Sequence, residues 1–247
     1  MGKLELASQL YSVGSIYYRG GAVSQNWSVA ATLLCDALEA GLPEEAIDDA
    51  KRMLARSYYW LGRECADKED LEEAVAFYKK SAEMSDPYGL CELGRWYRKG
   101  AGVERDLRKA FSLSESAASL GDFGGAFDMA MSYSRGEGVK RDLDRSKELF
   151  LKAAECIDDP KTSYRNLALC YECAGHDEWK TLRYDRAKAL WEKAQKILYK
   201  YGSLDPDFDY LSDPAVDRVS HNIVAADGAI KGAADMVGTV IEVFLPW

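Results

Sequence analysis

The sequence predicts an all-α solenoid of about five antiparallel helix pairs with a C-terminal helical cap. The first observation is an internal repeat, because the segment Gly-Ala-Gly-Val-Glu-Arg-Asp-Leu at residues 100–107 returns as Gly-Glu-Gly-Val-Lys-Arg-Asp-Leu at residues 136–143. A weaker copy stands at residues 20–27. The second observation is that apolar residues between these copies recur at helical spacing. Such self-similarity is typical of stacked supersecondary units that share a continuous core.

The clearest unit, residues 87–122, shows how each helix is specified. Asp86 precedes the first helix and is a typical N-cap, because its short side chain can accept a hydrogen bond from a free backbone amide. Gly100 ends that helix where a left-handed residue is needed. Asp106 caps the second helix, and Gly121 ends it. The unit is therefore predicted to be two antiparallel helices joined by a glycine-rich turn.

The remaining units follow this template with different fidelity. In the second unit the first helix, about 44–65, is long and lacks the glycine turn. In the fifth unit the turn is expected to have grown and to include residues 175–181. The five predicted units are residues 5–41, 42–86, 87–122, 123–159 and 160–202.

The C-terminal part departs from the repeat. Residues 203–214 carry two Asp-Pro dipeptides and are expected to form a linker. Residues 215–247 are expected to form a divergent helical cap or tail that is apolar on one side. Three roles stay open for it: a cap over the last repeat, a segment for partner binding or self-association, and an amphipathic helix on a membrane. Its few basic residues disfavour the membrane role.

Composition indicates which classes of partner are disfavoured and in which cellular compartment the protein is expected. The formal charge of −9 disfavours nucleic acid, which requires a basic surface, and also disfavours an anionic membrane. The sequence has no run of about 18 apolar residues and no signal-peptide pattern at its start. The six cysteines are scattered, as expected for reduced thiols rather than a disulfide framework. A cytoplasmic protein is expected.

Catalytic and metal-binding chemistry have weak support. The chain has two histidines and no nucleophile, phosphate-loop or paired-histidine motif, so we expect no enzyme activity and no cofactor. Cys170, Cys173 and His176 are weak candidates for a zinc site. A structural zinc site requires four ligands, and no second cysteine pair is present. Buried free thiols with a neighbouring histidine are the favoured interpretation.

The repeated residues resemble a known family. The pattern Leu-Gly-x-x-Tyr-x-x-Gly-x-Gly-Val-x-x-Asp, ending in Ala-Ala-x-x-Gly, is similar to the Sel-1-like repeat, a subclass of the tetratricopeptide-like α/α solenoids. The match is strongest at 93–122, nearly as good at 129–158 and fair at 13–41. The resemblance implies a right-handed superhelix that serves as an adaptor or scaffold for protein complexes. The paired cysteines of some secreted bacterial members are missing, so their extracellular role is not expected.

The partner is expected to be a protein or peptide that lies in the concave groove. Basic residues recur just before the turn glycine, where arginine can bind carboxylates in a bidentate manner. The same residues lie at helix C-termini, where cations also interact favourably with the helix dipole. Aromatic residues outside the repeat template are further contact candidates. The residues expected to contact the partner are Arg95, Trp96, Arg98, Tyr18, Arg19, Tyr59 and Arg135.

Overall fold

The protein is built from helices and turns wherever its structure is described. The computed structural model describes the backbone of residues 2–21, 23–155, 160–202 and 214–244, and the side chains of residues 2–21, 23–153, 168–200 and 214–231. No strand occurs in these ranges, and none of their helices has an apolar stretch long enough to cross a membrane. The helices found there are α1 (Lys3–Arg19), α2 (Trp27–Ala40), α3 (Glu44–Asp67), α4 (Leu71–Glu83), α5 (Pro87–Lys99), α6 (Leu107–Ser119), α7 (Phe123–Arg135), α8 (Leu143–Glu155), α9 (Pro160–Lys180), α10 (Tyr184–Gly202) and α11 (Pro214–Phe244).

Short polar side chains begin the helices as predicted. The Asp106 carboxylate accepts a hydrogen bond from the Lys109 amide at 2.9 Å, which satisfies one backbone donor in the first turn of α6. Gly100 ends α5 with φ of 73°, a left-handed conformation that favours glycine. Both predictions for the clearest unit are therefore confirmed. The N-cap side chains that accept a backbone hydrogen bond are those of Asn26, Asp70, Asp86, Asp106, Asp122 and Asp142.

Residues 1–128 form one compact unit in which each helix from α1 to α6 packs on the next. Three glycines occupy equivalent places on the first helices, each where the helix lies close to its second helix; we call them the register glycines. A Cβ atom on Gly14 would lie 3.1 Å from Leu34 Cγ, one on Gly62 would lie 2.7 Å from Tyr78 Cε1, and one on Gly94 would lie 3.1 Å from the Ala110 carbonyl oxygen. A small residue is required here because the backbones approach closely.

Residues 129–247 form the second compact unit. Its core centres on Trp191 of α10, which is buried and donates a hydrogen bond from Nε1 to the Glu172 carbonyl oxygen at 3.1 Å. Val216 and Val219 of α11 are buried in the same cluster. The described part of α11 therefore covers α10. Of the expected linker, residues 203–213 lie outside the described residues, and Pro214 already begins α11.

The turn expected at residues 175–181 is wrong. α9 continues to Lys180, and the turn begins only at Thr181. Gly175 remains helical because Trp191 occupies the space beside it, where a Cβ atom would lie 2.6 Å from Trp191 Cδ1. Glu178 faces inward, buried against Lys147 with 2.7 Å between its Oε1 and the lysine Nζ. Glycine and acidic residues are typical of a loop. Here, however, they lie within a helix, where the glycine allows close packing and the glutamate forms an ion pair.

Candidate partner-binding surface

Five polar and aromatic residues of two neighbouring first helices form one surface, which we call the α3–α5 surface. It consists of Arg56 and Arg63 of α3 with Tyr88, Glu92 and Arg95 of α5. The Arg56 guanidinium lies 3.7 Å from the centre of the Tyr88 ring, close enough for a cation–π interaction. Tyr88 is 45% exposed. The surface therefore presents an aromatic face beside a guanidinium group.

Tyr59 lies beneath this surface. Its ring centre is 5.6 Å from that of Tyr88, and Arg63 lies close to its hydroxyl. Burial raises the pKa of the Tyr59 hydroxyl above its ordinary value, although Arg63 acts in the opposite direction. Because Tyr59 is buried, its ring supports Tyr88 and Arg63 and offers little surface of its own.

Aromatic rings connect Tyr59 to two other residues that the sequence nominated. Tyr18, Tyr59 and Trp96 come from three successive first helices, and intervening rings join them within the first unit. Offset and edge-to-face ring contacts of this kind stabilise packing by about 0.5–1.5 kcal/mol each. The distances between the centres of successive contacting rings are 5.6 Å for Tyr18–Trp27, 5.4 Å for Trp27–Trp60, 5.1 Å for Trp60–Tyr59, 6.2 Å for Tyr59–Tyr78 and 5.5 Å for Tyr78–Trp96.

Arg95 and Arg98 both bind the Asp128 carboxylate. Arg95 Nε donates to Asp128 Oδ2 at 2.7 Å, and Arg98 Nη1 donates to Oδ1 at 2.9 Å. Arg95 also donates from Nη1 to Glu92 Oε1 at 2.8 Å. The Arg95 side chain remains 36% exposed, whereas that of Arg98 is 16% exposed. Arg98 is therefore mainly an internal link between α5 and α7, while Arg95 also reaches the surface.

A buried thiol adjoins this ion-pair network. The Cys91 Sγ donates to Asp128 Oδ2 at 3.4 Å. Burial raises the pKa of the Cys91 thiol, so the sulfur stays protonated. Burial also raises the pKa of the nearby Asp122 carboxyl, which accepts a 2.6 Å hydrogen bond from the Gly125 amide at the start of α7. The buried Asp128 carboxylate is thus paired with two guanidinium groups and a thiol, and these contacts fix the position of Arg95.

Arg19 and Arg135 occupy the last turns of α1 and α7. Both are exposed, and Arg135 Nη1 lies 3.9 Å from Glu137 Oε1. Their positions agree with favourable interaction with the helix dipole and also leave the guanidinium groups accessible. Arg135 belongs to the second unit, so it is not part of the α3–α5 surface.

Sequence reasoning missed several residues of this surface. Arg56 and Tyr88 were not nominated, because neither their contact nor the exposure of Tyr88 is visible in a local pattern. Asp128 was also missed, although it occupies the same repeat position as Glu92, one repeat later. Comparing charges at equivalent repeat positions would have indicated a carboxylate at this place on both α5 and α7. The long-range pairing itself becomes visible only once the helices are packed.

The candidate metal ligands are dispersed. Cys170 is buried, and burial raises its pKa and that of Cys173 to about 12. The His176 ring packs edge-on against Trp191 with 5.3 Å between ring centres, and its Nε2 lies 3.9 Å from Glu172 Oε1. Within the described ranges no three His, Cys, Asp or Glu side chains are grouped to hold a metal ion.

Comparison with known proteins identifies the repeats. The Sel1 repeat model matches residues 87–122 and 125–158, and a tetratricopeptide repeat model matches residues 55–87. The structure is similar to that of a Sel1 repeat protein from Oxalobacter formigenes, with a TM-score of 0.51 and 24% identity over 77% of this chain and 73% of that one. It also matches a protective antigen with an SLR fold, c5321, present in uropathogenic Escherichia coli strains, with a TM-score of 0.46 and 20% identity over 89% of this chain and 53% of that one. A comparison with curated protein sequences gives no match.

Proposed function

We propose that this chain of Sel1-like repeats is a non-catalytic scaffold that binds a protein or peptide on its α3–α5 surface. Such repeats are generally scaffolds for protein–protein interaction, because stacked helix pairs present an extended surface. The observation that carries the proposal is the exposed Tyr88 ring beside Arg56, next to the part-exposed Arg95. Tyrosine and arginine are enriched among residues that dominate binding energy at interfaces.

The charges of the surface favour a partner with an acidic group. Arg56 is paired with Asp86 at 2.9 Å, and Arg95 is paired with Glu92 and Asp128. Arg63 is exposed, and no ion pair to a carboxylate is found for it among the described residues. Arg63 is thus the available site for a carboxylate of the partner, while Tyr88 offers an apolar face.

We place this scaffold in the cytoplasm. The five cysteines in the described ranges, at positions 35, 65, 91, 170 and 173, are free thiols. Free thiols are typical of reducing compartments. The alternative role, assembly through the C-terminal segment, depends on residues 232–247, whose side chains lie outside the described residues.

The proposal is tested by affinity capture with the full chain, followed by titration of the captured protein. The variant Arg63→Glu/Tyr88→Ala removes the accessible cation and the exposed ring. We expect at least about a tenfold weaker affinity, because each lost interface anchor costs more than about 1 kcal/mol. Reversing Arg98 would be a poorer test, since it would break the internal link to Asp128.

The matched control is Lys79→Glu/Arg108→Glu, two exposed cations on the second helices α4 and α6. It makes the chain more negative by two cation reversals, against one in the test variant, on a different surface, and is still expected to keep full affinity. Equal capture by the wild type and by Arg63→Glu/Tyr88→Ala would place binding elsewhere. Equal losses in the test and control variants would indicate a nonspecific effect of net charge and would also contradict the proposal.

A further inference from the structure

The first helix of the chain has an exposed apolar side. Leu6, Val13 and Ile16 of α1 are 42%, 43% and 42% exposed. Their spacing places them on one side of the helix, turned away from the side that carries the buried Ala7 and Gly14. We call these three residues the α1 face. Several large apolar side chains exposed together indicate an interaction surface rather than ordinary surface composition.

The register glycines show what covers the equivalent position in later units. The residue before the glycine is Val13 in α1, Leu61 in α3 and Leu93 in α5. Leu61 packs in the cluster that contains residues of α2, and Leu93 is buried in the cluster that contains residues of α4. In both units, therefore, a second helix of the preceding pair covers this position.

A second position gives the same result. Eight residues before the register glycine stands Leu6 in α1 and Leu54 in α3. Leu54 is buried in the cluster with Leu34 and Ala37 of α2, whereas Leu6 is exposed. The α1 face is thus the surface on which this fold stacks a further helix, with the apolar residues required for that contact. A helix is the shape that fits it.

Charges beside the α1 face indicate which helix. Glu5 and Arg19 lie on one side of α1, two heptads apart, with Ser12 midway between them. No ion pair is found for Glu5 or Arg19 in the part of the chain that the structure describes. If a second copy of α1 packs antiparallel, with the two Ser12 residues at the centre, Glu5 of each copy lies opposite Arg19 of the other. A parallel copy would bring like charges together.

The other end of the chain offers a poorer match. The described part of α11 has Asp217 and His221 exposed on its outer side, with Val224 the single large exposed apolar residue among residues 214–231. A polar outer side is what a terminal repeat needs for solubility. The α1 face matches another α1 face better than it matches this side of α11.

We propose that two copies of this chain associate through their α1 faces, with the helices antiparallel across a twofold axis. The contact is isologous, because the same residues of both copies are buried. It leaves the α3–α5 surface to a different partner, so the proposed scaffold function neither requires it nor depends on it.

Light scattering coupled to size exclusion, over a series of concentrations of the full chain, tests this proposal. We expect a mass of twice 27.5 kDa for the wild type and a single-chain mass for Val13→Asp. Leu4→Asp is the matched control, since Leu4 is also exposed but lies on the opposite side of α1. It is expected to remain dimeric. Circular dichroism checks that every variant keeps its helix content.

A charge-exchange experiment tests the antiparallel register. Glu5→Arg and Arg19→Glu should each lose the dimer, because each places like charges opposite one another. An equimolar mixture of the two variants should restore it, as should the double variant. A monomeric wild type at every concentration, or a dimer that survives Val13→Asp, would overturn the proposal. A dimer that ignores both charge reversals would overturn its register, and open-ended growth in mass with concentration would indicate head-to-tail association instead.

Discussion

Asp128 accepts hydrogen bonds from Arg95 and Arg98 while its own side chain is almost fully buried. A buried carboxylate loses its hydration, and the two guanidinium groups offset that cost by ion pairing. Removing the carboxylate leaves the guanidinium groups of Arg95 and Arg98 without the negative charge that they share. The energetic effect of a buried pair is therefore clearest when one member is removed.

Asp128→Asn is expected to destabilise the protein by about 3 kcal/mol, because the amide cannot neutralise both guanidinium groups. Urea denaturation followed by circular dichroism measures the change in the free energy of unfolding. Asp144→Asn is the control, since Asp144 is exposed and pairs with Arg183 at 3.0 Å. That variant is expected to change stability by less than about 1 kcal/mol. Equal losses of stability in the two variants would show that the buried Asp128 stabilises the fold no more than an exposed carboxylate does.

Glu172 makes stability depend on pH. Burial opposes the charged carboxylate, but the nearby His176 and the hydrogen bonds from Arg218 outweigh it and lower the pKa of Glu172. The folded protein therefore holds this carboxylate ionised at a lower pH than the unfolded chain does. Its stabilisation is complete above the unfolded value of about 4.3 and is lost as pH falls through the lower folded value.

Arg218→Gln is expected to reduce stability by about 1 kcal/mol at neutral pH, because a charge-assisted pair with a half-exposed arginine is lost. The difference from the wild type should shrink as the pH falls below the unfolded value of about 4.3 and through the lower folded value of the wild type, where Glu172 becomes protonated in both. Urea denaturation at a series of pH values measures it. A difference that stays constant down to pH 3 would assign the effect to packing of the arginine rather than to its charge.

At the scale of helices and turns, two glycines with positive φ differ in how closely other atoms approach them. Comparing them distinguishes the effect of backbone strain from that of close packing. Gly102 has φ of 64°, and a Cβ atom there would lie 2.5 Å from the Leu71 carbonyl oxygen. Gly121 has φ of 82°, and a Cβ atom there would meet no atom within 4 Å. Gly102 therefore lets the turn of one unit pack against the helix start of the unit before it.

Gly121→Ala is expected to cost about 1 kcal/mol, the strain of a left-handed alanine. Gly102→Ala is expected to cost at least about 2 kcal/mol, because the steric clash with Leu71 adds to the same strain. Thermal or urea denaturation of the two variants measures the difference. Equal losses would mean that the turn moves away from α4 without cost, and the packing role of Gly102 would be wrong.

The helices themselves were largely predictable from sequence, because their signals are local. Asp106 and Gly100 act within a few residues of their own positions, and the structure confirms both. The end of α9 was not predictable in this way. Gly175 and Glu178 belong to a helix because Trp191 and Lys147, distant in sequence, pack against them. Local composition does not specify such contacts.

The candidate surface shows the same division. Tyr18, Tyr59 and Trp96 were nominated from sequence, and ring contacts connect them within one unit. The burial of Tyr59 and the binding of Arg98 to Asp128 depend on how helices stack. Sequence reasoning could therefore nominate these residues but could not predict that they are not freely exposed. The handedness and curvature of the superhelix remain predictions for the same reason.

At the scale of the whole molecule, α11 is expected to be required for stability. Its buried Val219 packs in the cluster with Trp191 and Leu198 of α10. A chain that ends at Gly202 would expose that apolar surface. We expect it to melt at a lower temperature and to bind a hydrophobic dye, measured by scanning calorimetry and fluorescence.

Two point variants check that the effect comes from this contact. Val219→Asp in the full chain should behave like the truncation, because it places a charge in the core at a cost of more than about 3 kcal/mol. Val224→Asp, on the exposed side of the same helix, should melt like the wild type. Loss of stability in both variants, or in neither, would contradict a covering role for α11.

The raised pKa of the buried thiols also has a kinetic consequence. Only the thiolate reacts readily with an alkylating reagent, so Cys170, with a pKa of about 12 and no access to solvent, reacts when its helix opens. Cys91 has the same protection in the first unit. Alkylation rates at the two cysteines, followed by mass spectrometry of peptides, therefore measure how often each half of the molecule opens. A single alkylating reagent would thus report the opening frequency of both units in the same native protein.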